Sequence, residues 1–202
     1  MKKMMMMIAA LLVATLSASA QYPIGTFSLK PMVGGTLATW TKSDGGKAKV
    51  GLIAGFEGEY MATHSFGVSV AALYAMEGVK AEGSLTGFDN TTIKFNIDYI
   101  NLPILANFYV APGLAIKAGI QPAFKVKAKA SGSVKYNGQS ASDSESIPGV
   151  KGFDFAIPVG LSYEISGFVL DARYNWGLTK VYEGLDCKNS VFMLTIGYKI
   201  PL

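Results

Sequence analysis

Apolar and polar residues alternate along most of this chain with the period of two that is typical of β-strands. The clearest run is 153–165, in which the odd positions are large and apolar and the even positions are mostly small or polar. Similar runs, separated by residues that favour turns, predict eight strands, at 27–41, 49–60, 66–77, 95–109, 114–127, 153–165, 168–176 and 191–201. The chain is therefore predicted to be all-β.

The connections between the predicted strands alternate between two lengths. Short turns follow the second, fourth and sixth strands, at 61–65, 111–113 and 166–167. Longer connections, rich in Gly, Ser, Asn, Asp and Lys, lie at 42–48, 78–94, 128–152 and 177–189. An up-and-down sheet with this order carries all its short turns at one end and all its long loops at the other. Outer-membrane barrels have the same asymmetry, with the short turns in the periplasm and the long loops outside.

The alternation fits a barrel in a bilayer better than a soluble barrel. The run from Phe153 to Tyr163, at roughly 3.3 Å per residue and a tilt of about 40°, spans about 25 Å. A soluble lipocalin-like barrel would turn its polar face outward, and that face should carry many long solvated side chains, whereas the polar face here is rich in Gly, Ala and Ser. We therefore predict an eight-stranded antiparallel up-and-down transmembrane β-barrel. Side chains fill the interior of a barrel this narrow, so no water-filled pore is expected.

Aromatic residues gather near the ends of the predicted strands, where interfacial girdles form in membrane barrels. Those near the short turns are Tyr60, Phe66, Phe108, Tyr163, Phe168 and Tyr198, and those near the long loops are Trp40, Tyr74, Tyr174, Trp176 and Phe192. We expect these rings to face the lipid, with ordinary core packing as the alternative for each of them.

Charged residues on the polar face should point into the barrel. They are Glu57, Glu59, Asp154, Glu164 and Asp171, against Lys117, Lys125, Arg173 and Lys199. Unpaired charges in a narrow interior are costly, so we expect these side chains to pair with one another. The favoured interpretation is a structural polar network that fixes the register and closes the barrel. The alternative is a proton path or a narrow conduit.

The N-terminus has the features of an export signal. Lys2 and Lys3 precede an apolar run at 4–13, and Ala18, Ser19 and Ala20 supply the small residues of a cleavage site. A membrane anchor is the alternative, but the apolar run is shorter than the roughly 20 residues that a spanning helix needs. We predict a signal peptide at 1–20, cleavage between Ala20 and Gln21, and one barrel domain at 21–202.

Composition removes several classes of function. The net charge of +4 includes Lys2 and Lys3, so the mature chain is only weakly basic and no nucleic-acid partner is expected. The single Cys187 cannot form an internal disulfide, and the single His64 cannot build a zinc site with several histidines. His64 lies beside Ser65, but no third group is visible that would orient a Ser-His pair for acyl transfer. We therefore expect no enzyme, no cofactor and no metal.

Three segments of the sequence carry a family resemblance: 99–105 (YINLPIL), 118–122 (AGIQP) and 170–179 (LDARYNWGLT). They resemble the recurring strands of the Bacteroidetes outer-membrane beta-barrel domain family, which includes PorT-like members. The resemblance extends over essentially all of the mature chain. It implies an eight-stranded barrel in the outer membrane of a Bacteroidetes bacterium, and it implies no single activity.

These observations favour a small outer-membrane barrel with a structural or surface-interaction role, exported by the general secretory route. Its termini would be periplasmic and its long loops extracellular. The alternatives are an accessory subunit of a secretion apparatus, which the PorT-like relatives suggest, and a narrow channel or transporter. We expect a monomer.

The expected partners are outer-membrane lipid and, during biogenesis, the barrel-assembly machinery. Lipopolysaccharide phosphates are a further candidate, because Lys125, Lys127 and Lys129 lead into the longest loop. For this lysine segment the favoured alternative is a solvated strand extension above the membrane.

Overall fold

A computed structural model describes residues 22–41, 46–83, 90–136, 139–146, 149–181 and 187–202. Within these ranges the chain forms eleven strands. They are β1 (Phe27–Trp40), β2 (Gly46–Met61), β3 (Phe66–Gly83), β4 (Asn90–Asn101), β5 (Ile104–Ala111), β6 (Leu114–Tyr136), β7 (Gln139–Ser146), β8 (Phe153–Ile165), β9 (Phe168–Gly177), β10 (Asn189–Tyr198) and β11 (Ile200–Pro201). The predicted signal peptide and its cleavage site lie outside the described residues.

The strands close into an antiparallel barrel. β1 pairs with β2 on one side and with β10 and β11 on the other. β4 and β5 together occupy one strand position in the barrel wall, here called a stave, and β10 and β11 together occupy another. β7 pairs only with β6 and is not a stave. The barrel therefore has eight staves, and the predicted fold is confirmed.

Proline explains the break between β4 and β5. Pro103 has no N–H to donate to a ladder. The pairing nevertheless continues across the break: Leu102 N donates to Pro122 O at 2.9 Å, and Pro103 O accepts from Ala71 N at 3.0 Å. β4 and β5 therefore stay in line in the barrel wall, because the backbone hydrogen bonds to both neighbouring strands, β3 and β6, are kept across Pro103.

The three short turns lie at one end of the barrel, here called the turn end, and the longer connections lie at the opposite loop end. Between β8 and β9, Ser166 and Gly167 have φ of 51° and 82°. Two consecutive positive φ angles are the requirement of a type I′ turn, whose twist matches that of the strands it joins. The predicted turn at 166–167 is confirmed.

Strands at the loop end run further than the sequence pattern predicted. β3 and β4 pair up to Gly83 and Thr91, and β6 and β7 form a hairpin that pairs Tyr136 with Gln139. The strand ends predicted at 77, 95 and 127 are therefore wrong, because strands continue into the connections predicted at 78–94 and 128–152. Backbone hydrogen bonds hold these extensions together, and such bonds do not require one apolar face.

The apolar face of the barrel points outward. Large apolar side chains are exposed along every stave, among them Leu52 (63%), Phe56 (58%), Leu161 (52%) and Leu170 (53%). This orientation separates a membrane barrel from a lipocalin-like one. Trp40 is an exception to the predicted girdle: its ring lies 5.7 Å from that of Phe95 and packs against interior side chains. Trp40 shares the parity of the inward residues of β1, a strand whose alternation is weak in the sequence.

Candidate functional site

The interior of the barrel is filled by side chains in layers. Three groups of polar residues follow one another from the turn end to the loop end. We name them the turn-end cluster (Tyr22, Glu59, Tyr109, Glu164 and Lys199), the central cluster (Lys30, Glu57, Lys117, Asp171 and Arg173) and the upper polar cluster (Glu77, Asn101, Asp154 and Asn189). Met32, Ile53, Ala71, Leu73, Ala75 and Met193 form an apolar layer beside them. Each of the eight staves contributes, because inward residues recur at every second position along a strand.

Arg173 anchors the central cluster. Its Nη2 donates to Glu57 Oε2 at 2.5 Å, and its Nε donates to Asp171 Oδ1 at 2.6 Å. Lys117 Nζ bridges the same two carboxylates, at 2.7 Å from Glu57 Oε1 and 2.9 Å from Asp171 Oδ2. Lys30 Nζ adds a third cation, at 2.7 Å from Glu57 Oε1. Three cations thus share two carboxylates in a space closed to solvent.

The turn-end cluster has the opposite balance of charge. Lys199 Nζ lies 2.7 Å from Glu59 Oε2 and 3.0 Å from Glu164 Oε2. Tyr109 donates its hydroxyl to Glu59 at 2.7 Å, and Tyr22 donates to Glu164 at 2.8 Å. Burial and this hydrogen bond raise the pKa of Tyr22, which precedes β1, to about 12. The excess negative charge here offsets the excess positive charge of the central cluster.

The upper polar cluster satisfies its carboxylates differently. Asn101 Nδ2 donates to Glu77 Oε1 at 3.0 Å, and Asn189 Nδ2 donates to Asp154 Oδ2 at 2.6 Å. Asp154 also accepts from the hydroxyl of Thr179. Amides and a hydroxyl thus supply the donors that lysine and arginine supply in the central cluster.

Apolar side chains cover the upper polar cluster at the loop end. This apolar cap consists of Ile97, Tyr99, Ala123, Val150, Val181 and Cys187. Three of its members, Val150, Val181 and Cys187, come from the connections. Backbone hydrogen bonds hold them there: Lys151 N donates to Val181 O at 2.9 Å, and Val181 N donates to Cys187 O at 3.0 Å. Lys125 Nζ donates to Val150 O at 2.5 Å. The connections therefore fold back over the barrel mouth.

The structure places the sequence-predicted charges as follows. The central cluster contains Glu57, Lys117, Asp171 and Arg173, and the turn-end cluster contains Glu59, Glu164 and Lys199. Asp154 lies in the upper polar cluster, and Lys125 lies beside the cap. Their role in fixing the register stays a prediction.

Two interior charges, Lys30 and Glu77, were missed by the sequence reasoning although both are buried. β1 and β3 alternate less regularly than the later strands. The parity that Lys30 shares with Ser28 and Thr36 was the available signal.

Catalytic and metal-binding groups of the usual kinds are not assembled in the described ranges. His64 and Ser65 are exposed in the turn between β2 and β3. Within those ranges no three His, Cys, Asp or Glu side chains are grouped so that they could hold a metal ion. The described part of the chain also contains no helix that is long and apolar enough to cross a membrane.

Comparison with known proteins gives a family and a fold. Residues 21–183 match the sequence model of the outer membrane protein beta-barrel domain. The structure of Ail, the attachment invasion locus protein of Yersinia pestis, aligns with 88% of this chain and 100% of its own at 20% identity, with a TM-score of 0.50.

Two further solved structures are similar at lower scores. Neisserial surface protein A aligns with 87% of this chain and 97% of its own at 14% identity, with a TM-score of 0.45. The N-terminal barrel domain of Pseudomonas aeruginosa OprF aligns with 88% and 98% at 14% identity, with a TM-score of 0.40. Comparison with curated protein sequences finds no match. At such low identity, the similarity to Ail concerns the fold alone.

Proposed function

Because the chain belongs to the outer membrane protein beta-barrel domain family, and is thus a small β-barrel protein of the outer membrane, we propose that it is a closed barrel that carries a surface-interaction hairpin. It conducts no ions and performs no catalysis. The observation that supports this proposal best is the central cluster, whose ion pairs join staves on opposite sides of the interior.

The barrel is oriented with both termini and the turn end in the periplasm and with the loop end outside the cell. The alternation of short and long connections supports this orientation, since outer-membrane barrels share it. Export uses the signal peptide at 1–20, and insertion uses the barrel-assembly machinery. The mature barrel is a monomer in outer-membrane lipid.

The interaction surface is the hairpin of β6 and β7. Its ladder runs from the pair Lys129 and Ser146 to the pair Tyr136 and Gln139, and β6 stays paired with β4 on its other side as far as Lys135. A rigid scaffold that holds a projecting segment is a common arrangement for recognition. Lys127 is exposed at the base of the hairpin, and its charge is suited to contact with lipopolysaccharide phosphates.

Two measurements test this function. Purified barrel reconstituted into planar bilayers should give no conductance steps, with an open porin as the positive control. A peptide tag inserted between Tyr136 and Gln139 should be detected by antibody on intact cells, whereas the same tag inserted between Thr63 and Ser65 should be detected only after the outer membrane is permeabilised. Conductance by verified, inserted barrels would overturn the closed-barrel proposal, and a shielded hairpin tag would overturn the surface role.

The resemblance to PorT-like members supports a second candidate function, that of an accessory subunit of a secretion apparatus in a Bacteroidetes bacterium. The segments 99–105, 118–122 and 170–179 support it. Deleting the gene and measuring the secreted cargo separates this role from a surface role. Unchanged secretion removes the second candidate.

A further inference from the structure

A groove lies on the outer face of the barrel, where β1 runs between β2 and β10. It has a volume of about 580 Å³ and an almost wholly apolar lining. Pockets that bind small ligands have volumes of roughly 300–1,000 Å³, so this groove is large enough to hold part of a ligand. Because the outer face of the barrel contacts lipid, the occupant of the groove must come from the bilayer.

The groove has walls of large side chains and a floor of small ones. Its walls include Phe56, Phe168 and Ile196, each of which is more than half exposed. Its floor contains Pro31 and Ala54, which present only a ring and a methyl group. Pro31 pairs with Phe56 in the ladder of β1 and β2, so a flat ring lies directly beside a projecting one. The recess therefore follows from the order of small and large residues along adjacent strands.

Pro31 also interrupts the ladder on the other side of β1. The ladder with β10 ends at the pair Met32 and Gly197, and the ladder with β11 begins at the pair Leu29 and Ile200. The register is the same on both sides of this break, and within the described residues no ladder pair lies between the two. The break therefore coincides with the groove, because Pro31 and Gly197 both line it.

The carbonyl of Tyr198 loses its ladder donor at this break. The register places Tyr198 opposite Pro31. Leu202 N donates to Phe27 O at 2.9 Å, and in an antiparallel ladder every second residue from such a pair is hydrogen-bonded again. By this parity the carbonyl of Tyr198 faces β1 and should accept from the N–H of Pro31. Proline has no N–H, so the ladder leaves this carbonyl without a donor beside the groove.

A lipid headgroup can supply the missing donor. A backbone carbonyl without a partner is costly at a lipid-facing wall, because hydrocarbon offers no hydrogen bond. Tyr198 lies on the outer face near the turn end, at the height where amphipathic rings meet headgroups. The ammonium group of phosphatidylethanolamine carries N–H donors, whereas the quaternary ammonium of phosphatidylcholine carries none. The site therefore favours the first kind of headgroup.

A single acyl chain fits the groove better than a second copy of this barrel does. The floor at Pro31 and Ala54 lies below the projecting rings of Phe56 and Phe168. The outer face of a barrel is convex and would contact those rings before it reached the floor. An acyl chain is narrow and flexible, so it can lie between the rings and contact the floor along its length.

We propose that the groove binds one phospholipid whose headgroup carries N–H donors. One acyl chain lies over Pro31 and Ala54, and the headgroup donates to the backbone oxygen of Tyr198. The bound lipid thus completes the wall of the barrel at the break in the ladder. The proposal goes beyond the surface-interaction role of the hairpin and does not depend on it.

The test is competition between two lipids for the whole mature chain folded in detergent. The barrel is incubated with equal amounts of phosphatidylethanolamine and phosphatidylcholine that have identical acyl chains, and the retained lipid is identified by native mass spectrometry. We expect one retained lipid per barrel, with phosphatidylethanolamine preferred by about tenfold, because a hydrogen bond to a charged group is lost with the other headgroup.

Two variants separate the acyl-chain contact from the headgroup contact. Ala54→Leu fills the floor of the groove and should lose the retained lipid. Ala118→Leu makes the same change on the outer face of β6, on the far side of the barrel, and is the matched control that should keep it. Pro31→Ala restores an N–H to the ladder, so it should keep a lipid in the groove but lose the preference for phosphatidylethanolamine.

Three results would overturn the proposal. One is equal retention of the two lipids, or no retention, by correctly folded wild-type barrel. Another is unchanged retention in Ala54→Leu, which would place the lipid elsewhere on the outer face. The third is a dimer in the same spectra that Ala54→Leu dissociates, since a second copy would then occupy the groove. If Ala54→Leu fails to fold, Pro31→Ala decides: a lost preference supports the site, and a retained preference counts against it.

Discussion

Arg173 and Glu57 meet across the interior of the barrel, with 2.5 Å between Nη2 and Oε2, although they lie 116 positions apart in the sequence. Arg173 is on β9 and Glu57 is on β2, and these strands are not neighbours in the sheet. The contact therefore bridges the interior instead of following its wall. A barrel bridged in this way resists both collapse and the opening of a continuous water path.

Removing one member of this pair should destabilise the barrel strongly. Glu57→Ala leaves Arg173, Lys30 and Lys117 with a single nearby carboxylate, and breaking a buried pair on one side costs about 3–5 kcal/mol. Urea unfolding in phospholipid vesicles, followed by the gel shift between folded and unfolded barrel, measures this loss. The double variant Glu57→Ala with Arg173→Ala should lose less than the sum of the single variants. Strict additivity would show that the contact contributes no coupling energy.

The lipid-facing position of Leu161 gives a second prediction. Leu161→Arg places a charge on the outer face near the middle of β8, where it should cost about 2–4 kcal/mol in a bilayer. Leu178→Arg is the matched control, because Leu178 follows β9 at the loop end and a charge near the interface costs about 0–1 kcal/mol. Unfolding of both variants in vesicles provides the comparison. Equal stabilities would contradict the position of the barrel in the membrane.

How far the sequence predicts this fold depends on where each residue lies. Residues 153–165 were read correctly because lipid contacts one face of β8 and a narrow interior contacts the other, so large and small residues must alternate. The hairpin of β6 and β7 was missed because its residues, 129–146, are mostly small or polar and show no apolar alternation. Lys30 was missed because Pro31, Gly34 and Gly35 interrupt the pattern of β1.

The sequence predicts which charged side chains point into the barrel, but not which of them contact one another. The parity of the strands identifies Glu57, Asp171 and Arg173 as inward, but it does not give the distance between strands that are not neighbours. That distance depends on the number of staves and on their stagger, which are properties of the closed barrel. For the same reason the parity of the strands does not indicate that Glu77 and Asp154 share one cluster.

The turn between β8 and β9 gives a third prediction. Gly167 has φ of 82°, and a Cβ added there would lie 2.9 Å from the ring of Tyr198. Gly167→Ala should therefore destabilise the barrel by about 1–3 kcal/mol. Ser166→Asn should stabilise the same turn slightly, because asparagine tolerates a positive φ and Asn-Gly is favoured in type I′ turns. Opposite shifts of the two urea midpoints are the expected result, and a neutral Gly167→Ala would show that the turn adopts another conformation.

Because of Tyr22, the stability of the folded barrel should depend on pH in the alkaline range. Its pKa is raised from 10.0 to about 12 in the folded state, first by burial and then by the hydrogen bond to Glu164. Because the folded state holds this proton more tightly than the unfolded state does, the contribution of Tyr22 to stability is complete below pH 10 and is lost as the pH rises toward 12.

The free energy of unfolding measured from pH 9 to pH 12 should therefore fall less steeply for Tyr22→Phe than for the wild-type chain. Tyr60→Phe alters a tyrosine on the outer face that is exposed and is the control; it should keep the steeper fall of the wild type. Identical pH profiles for Tyr22→Phe and the wild type would show that the hydroxyl of Tyr22 does not hold the N-terminal segment against Glu164. A shallower fall in Tyr22→Phe alone would show that this hydrogen bond ties the start of β1 to the end of β8.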